Sequence, residues 1–238
     1  MNYDKFHSAP KLQKKIITRN NFTYRYLIDI LESLKLKTDS KILDYGSGVG
    51  TIDFYLASKG FMVDGLEVSK NALQISKKSA KAIGVDGRVN FFDITKKIKK
   101  KYDAIICSEV IEHVPKYSLL IQKLKTYLKK GGYLIITTPS VNAPLHRMRL
   151  LKNFDEEVGH LRRYDPEKLY EEIKKSGLEI NFLQKKEGIL RNSLFTIRKL
   201  NWLVRFLKGP LSDLITFIDE ILVKLFGESN IHILSQKP

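Results

Sequence analysis

Asp44, Gly46, Gly48, Gly50 and Glu67 are the residues whose types and spacing point most directly to chemistry. The glycines alternate at the end of a short apolar stretch, Lys41–Tyr45, and Thr51 opens a helical pattern behind them. Glycine lets a chain turn sharply and lets a ligand approach with no Cβ in the way. The result is a nucleotide-type loop. A dinucleotide fingerprint needs G-x-G-x-x-G, but this loop reads Gly46-Ser-Gly48-Val-Gly50-Thr51, with Thr51 where the third glycine should stand. Asp44, just ahead of the first glycine, would repel a pyrophosphate and suits an ammonium group. Glu67, about twenty residues on, can accept hydrogen bonds from both ribose hydroxyls. The loop therefore reads as a site for a mononucleoside with a cationic amino-acid tail. No Gly-Lys-Ser/Thr follows it, so a P-loop is excluded.

Strand ends and helix starts must hold these residues. Tyr24, Leu27, Ile28, Leu31 and Leu34 recur at helical spacing and predict a helix over 21–35, capped by Asn20 or Asn21. Ahead of it, 1–20 reads as basic and irregular. The pattern then predicts a strand at 41–45, a helix over 49–58 stopped by Gly60, and a strand at 61–66. A helix capped by Ser69 follows, ending near Gly84, and then a strand at 88–92 with Asp93 behind it. The nearly continuous apolar run 102–107 reads as a strand covered on both faces. Pro115 is expected to begin a helix that Gly131 closes, followed by a strand at 133–138. Asp165-Pro166 starts a further helix, Gly177 ends it, and a strand at 178–184 comes next. Such alternation predicts an α/β fold with a parallel sheet. Ligands of such sheets sit beyond the carboxyl ends of the strands, where Asp44, Glu67, Asp93 and Ser108 all lie.

The stretch Leu43-Asp44-Tyr-Gly46-Ser-Gly48-Val-Gly50, with Glu67, Asp93 and Gly131-Gly132 after it, resembles the class I S-adenosylmethionine-dependent methyltransferases. The likeness covers about residues 20–186. It implies a Rossmann-like methyltransferase fold: a mostly parallel seven-stranded sheet, helices on both faces and an antiparallel last strand, a place that 231–234 fits. It also implies S-adenosyl-L-methionine as cofactor. The loop from Gly46 through Ser47 and Gly48 would pass close to the methionine moiety, and Asp44 would face its amino group. Glu67, with Val68 beside it, would hold the ribose hydroxyls. Asp93 with Ile94 would hold the adenine, and Ser108 would contact the methionine end. Arg25 is placed like an arginine that reaches the methionine carboxylate in some relatives.

Ser108-Glu109-Val-Ile-Glu112-His113-Val114-Pro115 resembles the Glu-x-x-Glu-His-Val motif of ubiquinone-biosynthesis O-methyltransferases. On a helix this spacing puts Glu109, Glu112 and His113 on one face. There they could hold Mg²⁺ and lower the pKa of a substrate hydroxyl, or else Glu112 and His113 orient the loop and cap the helix. Gly159-His160-Leu-Arg162-Arg163-Tyr164 resembles a His-Leu-Arg element found near the acceptor in small-molecule methyltransferases. His160, with His113, is a candidate for the base that removes a hydroxyl proton; the alternative is a histidine bonded to a backbone carbonyl. His146 and His232 read as structural.

The 238 residues form one methyltransferase domain in this reading: a helical cap over 1–40, a cofactor-binding core over 41–186, a helical insert or lid over 187–229, and a last strand over 230–238. Two helices are expected in the insert. One, over 196–208, is basic and amphipathic and carries Trp202, Phe206, Arg198, Arg205 and Lys208. The other, over 211–226, is apolar over most of its girth, with Ser212, Asp213, Thr216, Asp219, Glu220 and Lys224 as its polar stripe. They read as a packed cap, a lid over an apolar substrate, or a surface that enters a bilayer. The single cysteine, Cys107, excludes an internal disulfide and reads as a buried thiol. Residues 1–15 lack the apolar centre of a secretory leader, and no apolar run is long enough to span a bilayer. A cytoplasmic setting is expected, with peripheral membrane contact through 196–226 as an option.

The net charge of +16 is mostly lysine at helix ends and in loops, with no interleaved aromatic residues, so nucleic acid is not the expected partner. The Asn-Pro-Pro-Tyr type of motif of adenine methylation is absent, and Cys107-Ser108-Glu109-Val110 stands in its place. The function read here is O-methylation of a small-molecule hydroxyl acceptor, apolar or lipid-linked. An RNA or protein methyltransferase, and a non-catalytic cofactor-binding protein, are the alternatives.

Overall fold

Strand β1, Lys41–Tyr45, sends Ile42 to one face of a sheet and Leu43 to the other, and both are fully buried. Strand β4, Tyr102–Ser108, does the same with Ala104 and Ile106 against Ile105 and Cys107. A strand buried on both faces needs helices on both, and the chain supplies them. The computed structural model describes residues 12–238, so the expectation of an irregular basic start lies partly outside the described residues. On one face pack helices α1 (Arg25–Ser33), α2 (Thr51–Ser58) and α3 (Lys70–Ile83). On the other pack α4 (Tyr117–Tyr127) and α7 (Pro166–Lys175), after two short helices, α5 (Pro144–Arg147) and α6 (Lys152–Val158).

The remaining strands are β2 (Met62–Glu67), β3 (Val89–Asp93), β5 (Leu128–Pro139), β6 (Glu179–Lys186) and β7 (Asn230–Gln236). They form a seven-stranded sheet in the order β3-β2-β1-β4-β5-β7-β6. The strand order reverses between β1 and β4, which opens a crevice at their carboxyl ends. β7 runs antiparallel to both neighbours, and Asn230 pairs with Pro139 on one side and Lys186 on the other. A reversed strand begins where its neighbours end. The first residues of β7 therefore stand at the same sheet edge as Asp44 and Ser108.

Local signals set several boundaries. The Ser69 hydroxyl accepts from the Ala72 N–H, and Gly84 closes α3 in the left-handed conformation. Asp165 caps α7 by accepting from the Glu167 and Lys168 N–H groups. Asn21 accepts from the Thr23 and Tyr24 N–H groups, but the helix proper starts only at Arg25.

Three expectations fail. Pro115 does not open a helix: a 3₁₀ turn over Ile111–His113 comes first, Val114 is extended, as the residue before a proline tends to be, and α4 starts at Tyr117. Gly131 does not close that helix. α4 ends at Tyr127 because Leu128 is already extended and paired with Tyr102, so Gly131 lies within β5. Residues 196–208 are not one helix. Ile197 is extended and separates α8 (Ile189–Thr196) from the single turn α9 (Arg198–Asn201) and a 3₁₀ stretch, Trp202–Phe206.

Helix α10, Gly209–Phe226, is turned inside out. Ser212 and Asp219 are 0% exposed, whereas Leu214, Phe217 and Leu225 are 55%, 62% and 69% exposed. Its polar stripe grips the rest of the protein. Arg25 forms an ion pair with Asp213 at 2.7 Å and donates to the Thr216 hydroxyl at 2.8 Å. The Asp219 carboxylate accepts from the Gly188, Leu190 and Arg191 N–H groups at the start of α8. Among the described residues no helix is long and apolar enough to cross a membrane.

Candidate active site

The strand ends open onto a cavity of about 650 Å³. At its β1 end, Gly46 and Gly50 have φ of 91° and 83°. A side chain at either would be strained, and its Cβ would also strike Val110 or the rings of Phe91 and Phe54. The Gly46 and Ser47 N–H groups donate to the Leu66 carbonyl. Glu67 braces the loop from across the crevice. Its carboxylate accepts from the N–H groups of Gly48 (2.9 Å), Val68 (2.9 Å) and Ser69 (2.8 Å). Asp44 lines the cavity while almost wholly buried, and burial together with the nearby Glu67 pushes its carboxyl up to about 7. Close by, Asp53 of α2 is 0% exposed with no hydrogen-bond partner for its carboxyl oxygens among the described residues, and burial, then Asp44, raises its pKa well above the carboxylate range. Of the two carboxyl groups, only Asp44 lines the cavity.

Gly46, Ser47, Gly48, Glu67, Val68, Ile94 and Ser108 line the same cavity. Asp93 does not: its carboxylate is turned onto the Thr95 N–H and hydroxyl, and these bonds lower its pKa. Arg25 is also elsewhere, committed to α10, and is not positioned for a ligand's carboxylate. A mononucleoside with a cationic tail fits what remains. The loop approaches without Cβ atoms, Glu67 offers carboxylate oxygens, and Asp44 lines the cavity beside it.

Opposite the loop, Ser108, Thr137, Glu109 and Asn230 form one chain. The Ser108 and Thr137 hydroxyls are 2.7 Å apart, and Thr137 Oγ1 and Asn230 Nδ2 both donate to Glu109 Oε1. Glu109 has φ of 53°, a left-handed conformation that a non-glycine residue adopts at a cost. Behind it, Glu112 is fully buried. Its Oε2 accepts from Thr138, its Oε1 has no partner among the described residues, and burial followed by Glu109 raises its pKa well above the usual range.

The two candidate catalytic histidines meet here, with ring centroids 5.0 Å apart. The His113 Nδ1 lies 3.0 Å from the Gly159 carbonyl, and burial lowers the pKa of this ring. The His160 Nδ1 lies 2.9 Å from Asp155. Burial raises the Asp155 carboxyl, but hydrogen bonds from His160 and Arg163 outweigh it and hold it to about 2. An ionised Asp155 fixes the proton on His160 Nδ1, which leaves Nε2 as an acceptor. His146 stands 3.8 Å from the same carboxylate, outside the cavity lining.

Ligand atoms of Glu112, His113 and His160 lie within 4.8 Å of one another. The sequence-predicted set had Glu109 where His160 stands; Glu109 is instead held by Thr137 and Asn230. Two imidazole nitrogens and one carboxylate oxygen do not fit Mg²⁺, which takes oxygen ligands.

Sequence reasoning missed a wall formed by Glu187, Asn192, Ser229, Asn230 and His232, all lining the cavity. His232, which the sequence reads as structural, is buried against Tyr26 and also lines the cavity. The signal was the antiparallel last strand, because a strand reversed at that place must present its first residues to the site.

The methyltransferase domain family matches residues 19–181. Over 127 residues the chain is 27% identical to a ubiquinone biosynthesis O-methyltransferase of Chromobacterium violaceum, which is 52% of this chain and 55% of that one. A ubiquinone biosynthesis O-methyltransferase of Rickettsia canadensis is 37% identical over 101 residues, 41% of this chain and 42% of the relative. The chain thus spans about half the length of the curated relatives it matches. Among solved structures, a Haemonchus contortus phosphoethanolamine N-methyltransferase 2 in complex with S-adenosyl-L-methionine superposes with a TM-score of 0.66 at 19% identity, covering 90% of this chain and 53% of that one. Magnesium protoporphyrin IX methyltransferase from Synechocystis, with bound SAH, gives 0.66 at 13% identity, covering 99% and 94%. These two likenesses speak to the fold. Matched over well more than half its length by one family and sharing its sheet with S-adenosylmethionine-dependent enzymes, the chain belongs to the methyltransferase-domain family.

Proposed function

We propose that this chain moves a methyl group from S-adenosyl-L-methionine to a hydroxyl of a small, largely apolar acceptor. One observation carries the reading: a single cavity joins the glycine loop, with Asp44 and Glu67, to His160 held by Asp155. When bound, S-adenosylmethionine supplies a methyl group on a sulfonium, already activated for transfer. The protein's share is to align the acceptor and exclude water. Asp44 would take the cofactor's ammonium and Glu67 its ribose hydroxyls, with Ser47, Gly48, Val68, Ile94 and Ser108 around them. His160 Nε2 would take the acceptor's hydroxyl proton, and Asp155 would stabilise the imidazolium that results. His113, half-buried beside it, packs its ring against that of His160. No step runs through Mg²⁺.

Phe154, Val158 and Phe195 give the acceptor end apolar walls. Outside, α10 exposes Leu214, Phe217 and Leu225, and the preceding segment exposes Trp202 and Phe206 with Arg205 over their rings and Arg198 and Lys208 nearby in sequence. An apolar face rimmed by cations fits an anionic bilayer surface and would bring the cavity to a lipid-linked acceptor. His160→Gln tests the chemistry. Its kcat should fall by about 10²–10⁴-fold with S-adenosylmethionine affinity unchanged. A full rate in that variant would overturn the role of His160.

A further inference from the structure

We propose that Glu112, His113 and His160 form a binding site for a divalent transition-metal ion of the Zn²⁺ type, at the histidine end of the cavity. The inference goes beyond the methyltransferase reading and does not depend on it.

One ligand atom from each of the three lies within 4.8 Å of the other two. The residues come from two segments. Glu112 and His113 belong to the 3₁₀ turn Ile111–His113, and His160 follows Gly159, which closes α6 in the left-handed conformation. The segments are stitched together at this point. The Leu161 N–H donates to the Glu112 carbonyl (2.9 Å), the Tyr164 hydroxyl to the Ile111 carbonyl (2.8 Å), and Arg162 to the carbonyls of Val114 and Pro115. The three side chains are therefore gathered before a ligand arrives, which lowers the cost of ordering them around an ion.

Each ligand is also aimed by a partner of its own, as the ligands of metal sites are. His160 Nδ1 is held by Asp155, which in turn takes two bonds from Arg163. His113 Nδ1 faces the Gly159 carbonyl, which only accepts, so the proton of this ring also sits on Nδ1. Both rings thus carry their lone pair on Nε2. Glu112 is 0% exposed. Thr138 donates to its Oε2, and its Oε1 is buried with no hydrogen-bond partner among the described residues. A buried carboxylate oxygen left alone is costly, and a cation removes the cost. In the ion-free protein, burial and then the nearby Glu109 favour a proton on Glu112; a divalent ion takes the place of that proton.

The donor set selects the ion. Two imidazole nitrogens and one carboxylate oxygen suit Zn²⁺, and Co²⁺ as its spectroscopic substitute, whereas Mg²⁺ and Ca²⁺ take oxygen ligands. Three protein ligands leave a coordination position open, and both histidines line the cavity from which water or a small ligand would fill it. With the ion in place, His160 Nε2 is no longer available to a proton. The metal-bound and metal-free chains are then two chemically distinct states of one site.

The test is titration of the whole chain, freed of metal by a chelator, with Co²⁺, read by the visible absorption of a nitrogen-ligated ion. One Co²⁺ per chain should bind, Zn²⁺ should displace it, and excess Mg²⁺ should not. Glu112→Gln, which keeps an oxygen for Thr138, and His160→Gln should each lose the band; the second variant judges the site should the first fail to fold. Asp155→Asn leaves all three ligands but removes the partner of His160, and should weaken Co²⁺ by about 10–100-fold. A histidine bonded only for structure would show no such dependence. His146→Gln, outside the trio, should keep the band at full strength. The proposal is overturned if no Co²⁺ band forms, if Mg²⁺ displaces Co²⁺ as well as Zn²⁺ does, or if both ligand variants keep the band. S-adenosylhomocysteine takes no part in these titrations, so its failure to bind would sink the methyltransferase reading and leave the metal site standing.

Discussion

The two sides of the cavity are built by opposite rules. On the β1–β4 side the helices bury apolar faces, and the polar groups are fastened to backbone. Glu67 holds three N–H groups, and the loop hangs from the Leu66 carbonyl. On the cap side, α10 buries its polar stripe and exposes its apolar one, and the fastening runs through particular side chains: Arg25 to Asp213, and Asp219 to the first turn of α8. The difference teaches where each property resides. The cofactor side is a feature of strand ends and tolerates little change of backbone. The cap is a set of side-chain contacts laid over that frame, and its outward surface is apolar.

The comparison breaks most readily at the two carboxylates. Glu67→Ala removes the brace of the glycine loop, and S-adenosylmethionine binding should weaken by about 3–5 kcal/mol, as for loss of several charge-assisted bonds. Calorimetry checks it; binding within threefold of wild type would show that the loop keeps its shape unaided. Asp219→Ala should cost about 2–3 kcal/mol, but locally. Hydrogen exchange should quicken at Gly188, Leu190 and Arg191 while S-adenosylhomocysteine affinity is retained. If the whole sheet loosened equally, the two sides would be one unit.

A pH series sharpens the contrast further. Asp44 is raised to about 7 in the fold, so its contribution to stability is present below its ordinary range and lost as pH rises toward about 7. The cofactor's ammonium reverses this, favouring the ionised form. Affinity should therefore climb by up to about tenfold per unit below pH 7 and level off above it, with a proton released on binding. In Asp44→Asn the profile should be flat. The smallest effect expected is at the surface. Phe217→Asp should leave turnover of a soluble acceptor unchanged and reduce sedimentation with anionic vesicles severalfold; retention at the wild-type level would remove the membrane contact.

The cofactor side was legible because its signals are local and redundant. β1 keeps its bounds, Ser69 and Gly84 delimit α3, and Asp165 caps α7. Where a tertiary pairing competes with a local signal, the local signal loses. Leu128 pairs with Tyr102, so Gly131 never becomes a helix end. Arg25 and the α10 stripe show a second limit. Periodicity reveals two unlike faces but not which one turns inward, and here buried partners for the polar face decided it. His232 illustrates a third: a lone histidine in an apolar run reads as core until the neighbouring strands are known.

The position of β7 also sets an order of assembly. Synthesis delivers β5 and β6 before the strand that belongs between them, and Ser235 bonds to Leu134 101 residues upstream. Until that pairing forms, β5 presents an open edge of isoleucines, the kind of edge on which nascent chains aggregate. The glycine loop hangs from β2 and packs against Phe91 of β3 and Val110 just after β4, so it draws on the strands made first. A chain folded through β4 is therefore expected to hold that loop before the wall of Asn230 and His232 exists, and closure across a long loop is the step that completes the cavity.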